Sequence, residues 1–245
     1  MAVMKAWYRN NQEWHQTDSL LKALGPDWPD RGCVAVVGSG GKTSAVFRLA
    51  KELASQEKRV IITTTTHMFR EPGELAASIQ EARLLIKRQP ILMAGRPVGE
   101  EKITGIPAEE LEQLRELADF LLVEADGSKH LPLKLPADHE PVIPNGTDLI
   151  LVLAGLQGIG KPLSECCHRA ELVRELLHMS PDHRMEPEDV RSMLEQGYLK
   201  KHILPRGIPG VFLLNQADHE GLRHQAVSIA RGMAPNPCII TQLQD

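Results

Sequence analysis

Seven short apolar runs of strand length punctuate the chain: CVAVV (33–37), RVIITTTT (59–66), PILMA (90–94), DFLLVEAD (119–126), DLILVL (148–153), GVFLL (210–214) and CIITQ (238–242). Their apolar residues are consecutive rather than alternating, which marks strands covered on both faces. Between them lie stretches of helical period. The clearest follows the first run, where Val46, Leu49, Ala50, Leu53 and Ala54 recur at i, i+3, i+4, i+7 and i+8 and form one apolar stripe. Further helices are expected near 74–88, 108–118, 169–179, 187–196 and 219–232. Strands alternating with helices predict an α/β fold, a mostly parallel sheet with helices on both faces.

The pattern fails over 127–147, where prolines stand at 132, 136, 141 and 144 among Gly127, Asn145 and Gly146. A long ordered loop is expected there, inserted in a single domain spanning 1–245, and long loops inside compact domains are usually functional. A second break, GLQGIGKPLSE near 155–165, sets the expectation of a C-terminal subdomain from about 155.

Where the first strand meets its helix, residues 38–44 read Gly-Ser-Gly-Gly-Lys-Thr-Ser. The longer G-x-x-x-x-G-K-[ST] pattern would put its first glycine at Val36, so this loop is a shortened form that begins at Gly38. It resembles the ATP loop of the Mur ligases. Gly38, Ser39, Gly40 and Gly41 let backbone N–H groups converge on phosphate oxygens at a helix N-terminus. Lys42 then reaches the β and γ phosphates, Thr43 supplies a hydroxyl to Mg²⁺, and Ser44 completes the turn. The fold expectation narrows to a P-loop NTPase-like one, with Mg²⁺ and GTP or ATP as ligands.

Three further stretches end strands in polar residues. DFLLVEADGS carries Glu124 and Asp126 on the same side of an extended chain, where either or both can hold Mg²⁺ beside the phosphates. GVFLLNQAD ends in Asn215-Gln216-Ala217-Asp218, similar to the N-K-x-D motif of guanine-binding NTPases with Gln216 in place of lysine. Asp218 there reads either as a base-binding carboxylate or as a helix N-cap. ITTTTHM brings Thr65, Thr66 and His67 to a strand's carboxyl end, where open α/β sheets bind ligands. His67 is a candidate catalytic base, while Thr63 and Thr64 read as strand formers. The proline loop adds Lys129, His130, Lys134, His139 and Glu140, and His168-Arg169 follow a Cys pair. With Thr65 and Thr66 these seven are the candidate substrate-binding residues, since loops beside a site commonly read the substrate.

Composition narrows the partners. The chain of 245 residues has a formal net charge of −4, from 28 basic and 32 acidic residues, so no basic excess recommends nucleic acid or an anionic membrane. The N-terminal stretch lacks the apolar run of a signal peptide and no segment is long enough to span a bilayer, which predicts a cytoplasmic protein. Cys33 and Cys238 sit in apolar runs and read as small hydrophobes, whereas Cys166 and Cys167 lie in a polar segment that leaves a thiol or ligand role open.

In order, GSGGKTS, the TTTTHM strand end, VEADGSKHLPLKLPADHEPVIP, GLQGIGKPLSE with HRAEL, and LLNQAD resemble the YqeC family. The resemblance runs from about residue 20 to 240 and is most specific in the long central motif. It implies an accessory protein for selenium-dependent molybdenum hydroxylases, acting in a nucleotide-dependent step that makes or inserts the selenium-containing molybdenum cofactor. A molybdenum hydroxylase or a molybdenum cofactor biosynthesis protein is then the implied partner. Three activities fit: an NTPase resembling metallochaperone GTPases in role, a kinase or ligase-like transferase acting on a pterin or selenium species, and a non-catalytic carrier of a molybdopterin dinucleotide.

Overall fold

The computed structural model describes residues 4–11, 13–180 and 182–243. In chain order the first elements are β1 (Lys5–Asn10), β2 (Glu13–Thr17), α1 (Leu20–Leu24), β3 (Gly32–Gly38), α2 (Lys42–Ser55), β4 (Val60–Thr64), β5 (His67–Phe69) and β6 (Leu75–Ala76). There follow α3 (Ile79–Leu85), β7 (Ile91–Ala94), β8 (Arg96–Val98), β9 (Lys102–Thr104), α4 (Ala108–Leu117), β10 (Phe120–Glu124) and β11 (Leu133–Lys134). The remainder is β12 (Leu149–Gly155), α5 (Leu163–Cys166), β13 (Cys167–His168), α6 (Ala170–Leu177), α7 (Pro187–Met193), β14 (Gly210–Asn215), α8 (Glu220–Gly232) and β15 (Cys238–Gln242).

Ten strands form one sheet in the order β2-β1-β15-β14-β12-β3-β10-β4-β7-β6. All seven apolar runs are strands of it, and every pairing among them is parallel. Their sequence has no alternation because both faces are covered. Along β3, Val34 and Val36 meet α1 and α2, whereas Ala35 and Val37 meet the side carrying α6, α7 and α8. The far half of that second face is closed by α3 and α4. The stripe read on α2 is this contact: Val46, Leu49 and Ala50 are fully buried, and a buried Leu or Val side chain stabilises by roughly 1.5–3 kcal/mol. This is an α/β, P-loop NTPase-like fold.

Two parts of the architecture lay outside the apolar pattern. β1 and β2 form an antiparallel hairpin that extends the β15 edge; its burial is partial, so its residues mix polar and apolar types. A separate three-stranded sheet, β5-β9-β8, stands off the main one. Residues after 155 return two strands, β14 and β15, to the main sheet, while α5, α6 and α7 lie between.

The 127–147 segment is ordered and its inner part is buried. Leu133, Leu135 and Lys134 are almost fully covered, and β11 pairs with β13 in a small parallel ladder. Cys166 and Cys167 are buried beside it. Burial pushes their thiols up to about 11 and about 12, so both pack as apolar groups rather than as thiolates.

Candidate functional site

Parallel strands end together, and the polar residues that close them therefore gather at one edge of the sheet. β3 lies between β10 and β12, with Glu124 opposite Val36 and Leu153 opposite Gly38 in register. The loop that leaves β3 is compressed between these neighbours. Gly38, Gly40 and Gly41 all have positive φ, and a Cβ on Gly40 would stand 2.5 Å from the Cα of Gly155, so no other residue fits there.

The loop is fastened from behind. Ser39 N–H donates to the Leu153 carbonyl (3.0 Å) and its hydroxyl to the Pro132 carbonyl (2.9 Å). Gly38 N–H donates to Asp126 Oδ2 at 3.0 Å. Asn215, at the end of β14, donates its amide to the Gly40 carbonyl at 2.7 Å. Its Oδ1 accepts from the Thr241 hydroxyl (2.9 Å) and the Leu243 N–H (3.1 Å). In front, α2 begins at Lys42 with Gly41 as a cap that offers no side-chain acceptor. The N–H groups of Lys42 and Thr43 therefore lie in a first turn without intrahelical partners, the arrangement that receives an anion.

Lys42 is buried, with its ammonium 2.8 Å from the Gly38 carbonyl, 3.2 Å from Ser128 Oγ, 3.3 Å from Asp126 Oδ1 and 4.0 Å from Glu124 Oε1. Thr43 donates its hydroxyl to Glu124 Oε2 at 2.9 Å. Burial raises the Glu124 carboxyl above its ordinary range, against the pull of Lys42 and Thr43. A cation between Thr43 and Glu124 would relieve that desolvation, and a hydroxyl beside a carboxylate is a hard-oxygen pair suited to Mg²⁺. Among the described residues no group of three or more His, Cys, Asp or Glu can hold a metal. Mg²⁺ at a nucleotide needs no such cage, because phosphates and water complete its shell.

The two acids read together from the sequence share Lys42 but differ otherwise. Glu124 also meets Thr43, whereas Asp126 also meets Gly38 and, at 3.0 Å, Lys134. Lys134 also pairs with Glu140 at 2.8 Å, and Glu140 with Arg169. Burial opposes ionisation of Glu140, yet the hydrogen bonds from Arg169 and Lys134 hold its carboxyl down at about 2. His168 is lowered by burial and by the cations Arg169, Lys134 and Lys129. Of the candidate substrate-binding residues, Lys134 and Arg169 are thus both ion-paired with Glu140. Lys129, His130 and His139 are exposed, and His130 stacks with Phe69 at 5.3 Å between ring centres.

Thr64, read as a strand former, donates its hydroxyl to the Glu124 carbonyl at 2.7 Å and accepts from Thr66 N–H at 3.0 Å. Thr65 N–H adds a bond to the same Glu124 carbonyl at 3.1 Å. His67 opens β5, exposed and opposite Thr104, away from this cluster of hydrogen bonds. At the other end of the loop Asp218 is exposed and accepts from Gln157 Nε2 at 2.7 Å. The N-cap of α8 is His219 rather than Asp218. Ser128, the Pro132 carbonyl, Thr241 and Gln157 carry no local signal in the sequence; folding alone brings them here.

Among the described residues no helix is long and apolar enough to cross a membrane. A structure search matches the apo form of PAB0955, a GTPase from Pyrococcus abyssi, at 15% identity over 80% of this chain and 73% of that one. Its TM-score is 0.32, too low for the likeness to bear on this chain. The protein described as uncharacterized protein YqeC of Escherichia coli (strain K12) is 33% identical over 201 residues, covering 75% of each chain. The family model described as YqeC protein matches residues 34–171, which hold the loop, the acids and the proline-rich segment. The chain belongs to the YqeC family.

Proposed function

We propose that this chain binds a nucleoside triphosphate, GTP or ATP, with Mg²⁺ at the Gly38–Ser44 loop and hydrolyses its terminal phosphate. The observation that carries the reading is the meeting of an open helix start, Lys42 and the Thr43–Glu124 pair at the ends of two adjacent strands. The N–H groups of Lys42 and Thr43 receive phosphate oxygens, and the Lys42 ammonium offsets the charge at the β and γ positions. Thr43 and Glu124 hold Mg²⁺, which when bound neutralises charge developing on the transferred phosphoryl group. Asn215 fixes the loop, and Asp218 is the proposed base-binding carboxylate.

The role that the sequence resemblance implies is consistent with this reading. We infer that hydrolysis assists maturation or insertion of the selenium-containing molybdenum cofactor of molybdenum hydroxylases. The 127–147 segment supports a nucleotide-responsive part, since its Ser128 and the preceding Asp126 both touch Lys42, and its Glu140 pairs with Arg169. Phosphate release from GTP and ATP with Mg²⁺ tests the activity. Release by the wild type and its loss in Lys42→Ala are expected; a wild type that neither binds nor turns over either nucleotide contradicts the reading.

A further inference from the structure

Two buried lysines share one buried carboxylate. Asp126 is fully covered, with Lys42 on Oδ1 at 3.3 Å and Lys134 on Oδ2 at 3.0 Å. Lys134 is ion-paired with Asp126 and, at 2.8 Å, with Glu140, and donates to the Gly127 carbonyl at 2.5 Å. Enclosed by these three acceptors and only 3% exposed, its ammonium is turned away from any substrate in solvent. Lys42 donates to the Gly38 carbonyl and to Ser128 Oγ and is ion-paired with Asp126 Oδ1, which accepts no hydrogen bond.

A triphosphate in the loop must draw those Lys42 donors to itself. Were Lys42 the sole cation on Asp126, its departure would strand a buried carboxylate, and an uncompensated buried charge is strongly unfavourable. Lys134 prevents that outcome. It stays on Oδ2 while Oδ2 also keeps the Gly38 N–H at 3.0 Å, and Glu140, itself held by Arg169, fixes Lys134 from the far side.

We propose that Lys134 is a positioning residue: the resident counter-ion of Asp126, which frees Lys42 to pass from Asp126 to the phosphates. Asp126 then serves to fasten Gly38, and the metal falls to Glu124 and Thr43. This rests on the nucleotide reading above. It also explains why a charge occupies a position as deeply buried as the leucines on either side, Leu133 and Leu135.

Equilibrium binding of Mg·GTP and Mg·ATP to the full chain, with thermal unfolding of the ligand-free protein, tests it. In Lys134→Met each remaining acid keeps one cation, Asp126 with Lys42 and Glu140 with Arg169. The ligand-free midpoint should therefore change little, while nucleotide affinity falls about 100-fold or more, since Lys42 is then retained by Asp126. Neutralising the acid removes that competition, so Asp126→Asn with Lys134→Met should bind within about threefold of Asp126→Asn alone. Where Lys134→Met fails to fold, a double variant that binds about tenfold or more weakly than Asp126→Asn overturns the proposal by itself. Wild-type affinity in Lys134→Met, or a double variant that binds as poorly as Lys134→Met, overturns the proposal. A wild type that binds neither nucleotide overturns the underlying reading first and this one with it.

Discussion

Behind the Gly38–Ser44 loop Lys42, Glu124, Asp126 and Lys134 are all buried and each is paired, whereas in the NQAD stretch Asp218 is open to solvent and meets the exposed Gln157. The difference follows from where the residues sit. Glu124 and Asp126 end and follow a strand with neighbours on both sides, so their environment is set by the core. Asp218 lies three residues past the end of β14, beyond the buried Asn215 and Ala217. The supports of the proposed phosphate loop are therefore part of the fold, while the proposed base reader is a surface side chain. Asn215 joins the two, since it belongs to the NQAD stretch yet acts on the phosphate loop.

That junction gives the largest expected effect. Asn215→Ala leaves the Gly40 carbonyl, the Thr241 hydroxyl and the Leu243 N–H without their partner. A loss of about 2–4 kcal/mol is expected in urea unfolding, together with weaker nucleotide binding. A stability within about 0.5 kcal/mol of wild type would detach NQAD from the Gly38–Ser44 loop.

Next comes the acid dependence of the buried charges. Glu140 titrates at about 2 in the folded protein against an ordinary 4.5. Its contribution is therefore complete above pH 4.5 and lost as pH falls through 2. Allowing for solvent screening, it amounts to about 1–2 kcal/mol. Unfolding measured between pH 5 and pH 2 should show this loss in the wild type and lack that component in Glu140→Gln. Equal pH profiles for the two would mean that Glu140 is not held by Arg169 and Lys134.

The smallest effect belongs to Asp218. Asp218→Asn should leave stability within about 0.5 kcal/mol of wild type. If Asp218 accepts from the guanine edge, GTP weakens about tenfold relative to xanthosine triphosphate, with ATP unaffected. Equal weakening of GTP and ATP would remove Asp218 from base reading.

The same contrast explains what was legible in the sequence. Strands buried on both faces advertise themselves as unbroken apolar runs, and the loop needs glycines at fixed offsets, so the sheet, α2 and Gly38–Thr43 could all be read directly. The β1–β2 hairpin is half exposed and gives no comparable run. The spacing of Glu124 and Asp126 suited both to the metal; what separates them is Lys134, reached only through a loop that folds back on the sheet. Lys134 and Glu140 read as candidate substrate-binding loop residues, and their burial was not legible because a proline-rich segment leaves no periodic trace. Gln157 reaches Asp218 only because β12 and β14 are neighbours.

The central claim is that Lys42, Thr43 and Glu124 form a triphosphate site with Mg²⁺. Equilibrium binding of Mg·GTP and Mg·ATP to the wild type and to Lys42→Ala, at matched protein concentration and with thermal unfolding as a check on folding, tests it most directly. The account predicts saturable binding of at least one nucleotide by the wild type and affinity reduced by about 100-fold or more in a folded Lys42→Ala. Equal affinity in the two proteins, or no binding by the wild type, would contradict it.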